Sequence, residues 1–428
     1  MTTASISSPQ ILSENQTMFS QKDQCSSLVS DSNQDFPSFS DWENLPKHLL
    51  DSVAEKLLKP WDYVGFSLVC KSWYSVAKDN ESKHARMTAP MLLYYSGRKQ
   101  YWKFYDVVDK KVLKFQAKVP WKVFVGSSKG WLLFVHRNIR EKNLGVTLVN
   151  PFLRIKGREN KEKSIICLPP LTPPGWEKWY VNCEEYVCKA TISADPISNT
   201  NDCIVTVIHL ERGNLAFIRL GKDTTWTYVD ETVDNALDED IGCQMIEEVV
   251  NVGNTFYAVN YYREVLCYDV TTARTYSDVK MVRRGNSPDC NNSKRYIFEV
   301  EENRLLMVER YVGYTEDDIR VTKKFRVFVL NVQTGEWTEK NTLGGDALFV
   351  GDNTSIRVSA AKICGLQPNC IYFNHDIDYV GTGNDYDFGV YNVEDQSFPE
   401  TYTKRFKNIL HMSSPRPIWV KPILSFPL

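Results

Sequence analysis

The sequence carries almost no net charge: 51 Lys and Arg oppose 53 Asp and Glu, a formal balance of −2. Without a basic field a dominant phosphate-binding role has no electrostatic support, which argues against nucleic acid as the principal partner. Long apolar runs are missing as well. None approaches the roughly eighteen residues of a membrane helix, so no membrane span is expected. The opening residues, "MTTASISSPQILSENQTMFSQKDQ", lack the basic start and apolar core of a secretory signal, and they contain no Arg, as a transit peptide would. A protein of the cytoplasm, the nucleus or both is expected. The 11 cysteines are scattered and form no CxxC, so they read as reduced, mostly buried thiols rather than disulfides or zinc ligands.

Catalytic signatures are equally scarce. There is no Gly-rich loop ending in Lys-Ser/Thr, no GxSxG elbow and no HExxH, and "GTGND" at 381–385 lacks the third glycine and the helix of a dinucleotide fingerprint. Only 6 His occur. His375 with Asp376 and Asp378 in "NHDIDY" can gather a cation or form a polar loop, and no second ligand cluster is visible. No catalytic residue, cofactor or metal is expected.

What the sequence does contain is organised in three stretches. Residues 1–40 are Ser, Thr, Gln, Asn and Asp with few apolar neighbours, too little hydrophobic surface to offset the entropy of ordering, and read as a disordered tail. Residues 41–86 form a helical module. Asn44 can cap a first helix in which Leu49, Leu50, Val53, Leu57 and Leu58 recur at helical spacing, with Pro46 near its start. After Lys59-Pro60, Asp62 can cap a second helix with Phe66, Val69, Trp73, Val76 and Ala77 on one face.

From residue 87 to 428 the texture changes to short runs of β-formers between Gly, Asn, Asp and charged turns, among them "MLLYYSG", "GWLLFVHR", "DCIVTVIHL", "RLLMVERYV" and "CIYFNHD". A repeat runs through them: Tyr268-Asp269-Val270 leads to Tyr276, Leu330-Asn331-Val332 to Trp337, and Tyr391-Asn392-Val393 to Phe398. In each, a strand ends on an Asx residue that can bond the turn backbone, and the returning strand opens with an aromatic that can wedge between adjacent sheets. "RLGKDTTW", ending at Trp226, and Asn150 in "LVNPF" are weaker members. Units that cannot bury both faces alone must stack, and radial stacking hides the sheet edges. The expected architecture is a multidomain α plus all-β chain, a helical module followed by an irregular β-propeller of about six or seven blades.

Three surface features suggest partners. The basic run 154–163 and the acidic run 229–240 read as solvated loops that can also face charged partners. Trp176, Trp179 and Tyr180 in "PPGWEKWYVN" are candidates for a substrate-recognition surface on one propeller face.

The stretch from Leu45 to Val76 resembles an F-box: "LPKHLLDSVAEKLL" is similar to its Leu-Pro opening and first helix, and "DYVGFSLVCKSWYSVA" to its second half. The resemblance implies docking on the Skp-type adaptor of a cullin–RING ubiquitin ligase, through positions matching Leu45, Pro46, Leu49, Leu50, Val53, Leu57, Phe66, Val69, Cys70 and Trp73. The remainder is similar to plant F-box proteins with a kelch-like or KIB-like C-terminal propeller, on "KGWLLFV", "NPF", the "YDV" and "TGEW" repeat ends, "LGGDALFVGDNTSIRVSA", "CIYFNHD" and "RPIWVKP". The paired-glycine kelch signature is not present in each blade. The resemblance implies a non-catalytic substrate-recognition subunit that holds a target protein near activated ubiquitin. The alternative is an adaptor-bound scaffold that regulates a partner without ubiquitinating it.

Overall fold

The computed structural model describes residues 42–57, 60–67, 69–80, 88–96, 101–117, 124–138, 143–154, 164–172, 187–199, 202–209, 213–229, 245–269, 280–283, 293–300, 304–317, 320–351, 354–374, 387–399, 402, 406–408 and 417–422. The chain divides into two compact units, Met1–Leu45 and Pro46–Leu428. In the first, the described residues form a short 3-10 turn, Trp42–Asn44. The expected tail at 1–40 lies outside the described residues.

The second unit begins with three helices, α1 (Lys47–Lys56), α2 (Pro60–Ser67) and α3 (Lys71–Asp79). The two helices expected from periodicity are thus three. The second apolar face is interrupted between Ser67 and Lys71, where Cys70 is extended at φ −161° and serves as the N-cap of α3. Asn44 does not cap α1; Pro46 occupies that position and no side chain caps it. Pro60, by contrast, opens α2, where its missing N–H costs nothing, and Asp62 lies within that first turn, where its charge suits the helix dipole.

The rest is a ring of six four-stranded sheets among the described residues, the expected propeller. Blade 1 contains β1 (Met91–Ser96), β2 (Tyr101–Asp106) and β3 (Lys111–Ala117). Blade 2 is β4 (Gly126–Ser128), β5 (Trp131–Asn138), β6 (Asn143–Val149) and β7 (Ile165–Cys167). Blade 3 is β8 (Val187–Ile192), β9 (Ile204–His209), β10 (Asn214–Arg219) and β11 (Thr227–Val229). Blade 4 is β12 (Ile246–Val252), β13 (Thr255–Asn260), β14 (Val265–Asp269) and β15 (Lys280–Arg283). Blade 5 is β16 (Ser293–Val300), β17 (Arg304–Tyr314), β18 (Arg320–Asn331) and β19 (Glu336–Lys340). Blade 6 is β20 (Asp346–Gly351), β21 (Thr354–Ser359), β22 (Cys370–Phe373) and β23 (Gly389–Asn392). The C-terminal strand β24 (Ile418–Val420) returns to pair antiparallel with β1, setting Trp419 opposite Leu92.

Continuous apolar runs rather than clean alternation follow from this stacking, because every sheet is covered on both faces. On β17, Leu305 and Met307 join the core shared with blade 4, while Leu306 and Val308 join the one shared with blade 6. On β5, Trp131, Leu133 and Val135 face blade 3, and Leu132 and Phe134 face blade 1. Further clusters join blades 3 and 4 and blades 6 and 1, so the buried layer is continuous around the ring. Two glycines make the inner wall feasible. Gly130, at φ 77°, closes the β4–β5 hairpin, and a Cβ on Gly126 would sit 2.1 Å from the Ala190 carbonyl oxygen of the next blade.

The repeat behaves as the sequence suggests at its turns. Asn331 Oδ1 accepts from the backbone of Gln333 (2.9 Å) and Thr334 (3.2 Å), and Asn392 Oδ1 from Glu394 (2.9 Å) and Asp395 (3.1 Å). Asn150 Oδ1 likewise accepts from Phe152 (3.0 Å). Asp106 in "YDVVD" makes the same turn in blade 1, a further member. The aromatic wedge is less uniform. Trp226 is buried and donates to the Pro169 carbonyl (2.9 Å), and Trp337 packs at the blade 4–5 core. Phe398 is 47% exposed and touches Phe373 and Tyr391 of its own blade, so it is not a wedge. Blade 6 also departs in chain order: β20 pairs with both β21 and β22, and β22 runs parallel to it, so the strand lining the ring axis is the second of its blade rather than the first.

Buried charge bolts blades together. Arg310 on β17 is fully buried, donating to Thr322 Oγ1 (2.8 Å), to the Asn374 carbonyl (2.7 Å) and to Asp387 Oδ2 (2.9 Å), with its guanidinium 4.8 Å from the Phe373 ring. Replacing Arg310 by Met is expected to lower stability by about 3–5 kcal/mol in denaturant unfolding, because Asp387 is left buried without its cation. Replacing both members by apolar residues should cost much less.

His209 at the end of β9 is buried edge-on to Tyr228, and burial pushes its pKa down to about 4. The unfolded chain therefore binds a proton that the folded chain refuses between pH 6.5 and 4, so stability falls with pH through that window. A loss on the order of 3 kcal/mol is expected from this residue between pH 7 and 4. His209→Gln should flatten that part of the stability profile measured by thermal unfolding.

Candidate functional site

The helical module uses one side of each helix to hold itself together. Leu50 and Ala54, four apart on α1, are buried, as are Tyr63 and Phe66 on α2 and Val76 and Ala77 on α3. The Phe66 and Trp73 rings lie 4.6 Å apart, and the Tyr63 hydroxyl donates to the Ala77 carbonyl at 2.5 Å. At the far end Lys47 Nζ meets Asp79 Oδ2 at 2.6 Å, and Asn80 Nδ2 donates to Asp51 Oδ1 at 2.8 Å, tying α1 to the end of α3. The hydrogen bond to Asp79 raises the Lys47 pKa. That pair is solvent-exposed, so it orients the helices more than it stabilises them.

What remains among the described residues is an exposed apolar stripe. Leu49 is 44% exposed, Val53 39% and Val69 52%, and Pro46, three residues before Leu49, is exposed too. Pro46, Leu49 and Val53 follow the i, i+3, i+7 spacing of a single helix face, one position around from the buried Leu50 and Ala54. Single exposed aliphatics are ordinary, but a row of them at helical spacing on a helix whose other face is satisfied is a candidate protein contact. The structure thus sorts the ten positions matched to the F-box. Leu50 and Phe66 pack the module, Pro46, Leu49, Val53 and Val69 are open, and Leu45, Leu57, Cys70 and Trp73 are half-buried.

The three aromatics expected on a recognition surface, Trp176, Trp179 and Tyr180, lie outside the described residues, as do the basic run from 155, the acidic run from 230 and the "HDIDY" group at 375–379. Among the described residues no group of three His, Cys, Asp or Glu is placed to hold a metal, and no helix is long and apolar enough to cross a membrane.

A second site was not anticipated. Along the ring axis Lys189 of β8 and Glu248 of β12 are both buried and form an ion pair at 2.5 Å. Lys189 also lies 3.2 Å from Ser355 Oγ of β21, whose hydroxyl donates to Glu248. These three residues come from strands 59 and 107 positions apart, and no local pattern links them.

A family model described as F-box-like matches residues 42–87, and one described as KIB1-4 beta-propeller matches residues 104–392. F-box/kelch-repeat protein At1g57790 of Arabidopsis thaliana is 27% identical over 344 residues, covering 78% of this chain and 82% of its own. F-box protein SKIP23 of the same plant is 23% identical over 410 residues, covering 86% and 94%. With the helical module, the closed six-bladed ring and the greater part of the chain matched, the protein belongs to the KIB1-4 β-propeller family and is a plant F-box protein with a propeller domain.

Proposed function

We propose that this chain is the substrate-recognition subunit of a Skp–cullin–F-box ubiquitin ligase. The observation that carries the reading is the uncovered row Pro46, Leu49 and Val53, with Val69, on an F-box-like module that already satisfies its own core. The Skp-type adaptor is the occupant of that row, and through it come the cullin and RING subunits. The propeller selects a target protein by its loops, since rigid scaffolds place recognition on variable connections.

No residue of this chain needs to perform chemistry in this scheme. Holding a target lysine near an activated ubiquitin carried by other subunits raises the effective concentration of the reactants, which is where the rate gain arises. The place of action is the cytoplasm, the nucleus or both.

The test is co-purification of the full-length chain with a Skp-type adaptor, cullin and RING subunit, followed by detection of ubiquitin conjugates on a co-captured protein. Adaptor and cullin in the complex with conjugates on the captured protein is the expected result. Capture without conjugates would leave an adaptor-bound scaffold, and a folded chain that fails to bind the adaptor overturns the reading.

A further inference from the structure

Blade 5 is built from strands of unequal length. β17 and β18 run for 11 and 12 residues, whereas β19, the outermost, has 5 and pairs only with Val327–Asn331. The part of β18 before Val327 therefore has β17 on one side and no strand on the other among the described residues. Near its start Thr322 is engaged by Arg310 and Asp387, which leaves Lys323–Arg326 as an open strand edge. Such an edge is a row of backbone donors and acceptors that another chain can complete.

A groove runs beside it. β18 from Lys324 to Val327, the end of β19 at Glu339 and Lys340, and Tyr391 and Val393 of blade 6 line a cavity of about 480 Å³. Its floor is apolar, because Phe325 and Val327 are buried against Tyr391 and Val393. The Tyr391 hydroxyl is bonded to the Phe325 main chain, so the backbone at that position faces the groove. Strand alternation turns Lys324 and Arg326 to the opposite face, where the Arg326 guanidinium lies 4.9 Å from the Phe328 ring.

The charge of the edge is not balanced. Glu339 is the one carboxylate lining the groove among the described residues, and Arg326 engages both its oxygens, at 2.7 and 2.6 Å. Lys324 rests over the Tyr311 ring at 5.0 Å, a contact that orients the ammonium without neutralising it. Lys340 and Lys323 are exposed, with no ion pair among the described residues. With every ion pair counted the edge stays positive. Two copies of it would set lysine against lysine, so self-pairing is opposed and the chain that completes the edge carries the opposite sign.

We propose that the open edge of β18 takes an extended acidic segment of the target protein as an added strand, its carboxylates beside Lys324 and within the field of Lys323 and Lys340, and its alternate apolar side chains over Phe325 and Val327. The inference rests on the substrate-recognition reading only in assigning that segment to a target protein. The open edge itself lies within blade 5.

The probe is a short, labelled peptide of alternating Glu and Val with blocked ends, titrated against the full-length chain by fluorescence anisotropy. Binding in the micromolar range is expected, with added protection of the amides at 323–326 in hydrogen exchange. The same peptide with Lys for Glu should not bind, and one with Pro at its centre should bind about tenfold more weakly, since Pro cannot donate to a ladder. Lys324→Glu with Lys340→Glu should lower affinity for the acidic peptide by about tenfold or more and admit the basic one, because like charges then face each other. Both side chains are exposed, so the melting temperature should not change. Equal binding of the acidic and basic peptides, or no binding of the acidic one at millimolar concentration to the folded protein, overturns the proposal. Binding without protection at 323–326 overturns it too, since the peptide would then lie on another surface. Co-purification of the adaptor with the wild-type chain keeps the two readings apart: adaptor without peptide overturns this inference alone, and peptide without adaptor overturns the ligase reading alone.

Discussion

A chain carrying Leu49→Asp and Val53→Asp is expected to lose adaptor affinity by roughly two orders of magnitude or more, the range of a central interface anchor, with no change in melting temperature. Both side chains sit on the exposed stripe of α1 and contribute little to the module's own core. Placing a carboxylate there does not bury charge in the free protein. In the complex it would force an unpaired anion into an apolar contact, which costs far more than the lost methyl groups.

The comparison variant is Leu50→Ala. It removes a fully buried side chain one position away, so about 2–5 kcal/mol of the module's packing should be lost and adaptor binding should fail only because the helices loosen. Far-ultraviolet circular dichroism with calorimetric titration against purified adaptor separates the two. Loss of binding with unchanged helicity in the double Asp variant supports the stripe as the contact surface. Retained binding removes it.

Truncation before Ile418 is expected to leave a chain with no cooperative unfolding transition. Ile418, Trp419 and Val420 are buried, and each contributes about 1.5–3 kcal/mol on transfer from water, so their sum approaches the whole stability of an ordinary domain. Trp419 also donates from Nε1 to the Val350 carbonyl of blade 6 at 3.2 Å and stands edge-on to Phe349. One short strand therefore completes the blade 1 ladder and seals the seam to blade 6. Near-ultraviolet circular dichroism and thermal scanning would check it, since a native-like spectrum with a sharp transition would show that the ring closes without the strand. Trp419→Phe keeps the packing but loses the hydrogen bond, and should lower stability by only about 1–3 kcal/mol.

Much of this molecule was readable because its strands are saturated with β-formers. "GWLLFVHR", "RLLMVERYV" and "CIYFNHD" became β5, β17 and β22, and the six blades fall within the expected six or seven. The Asx turns were legible for the same reason, since Asn331 and Asn392 bond the nearest backbone and need no distant partner. Tyr105-Asp106-Val107 carries the same three-residue signal and was there to be found.

The features that escaped are those decided by distant residues. Helical periodicity cannot separate Leu49 from Leu50, because both lie on the apolar side of α1 and only the placement of α3 decides which is covered. Arg310 in "VERYVG" reads as a solvated charge until Asp387, 77 positions away, is brought against it. The same holds for Lys189 and Glu248. Strand order in blade 6 was also hidden, since alternation marks β20 and β21 as strands but does not say which one faces the axis.

The pairing of β24 with β1 sets an order of events during synthesis. The helical module leaves the ribosome before the propeller and its short-range contacts can form at once, whereas the edge formed by Met91, Leu92 and Leu93 waits for a partner more than 300 residues downstream. Joining those ends costs about 5 kcal/mol of chain entropy, to be met only when the last blade interface is in place. Until then a nascent chain can already present the exposed stripe of α1 while a strand edge stands open to stray pairing. A chain that stops before Ile418 would be left in that state permanently.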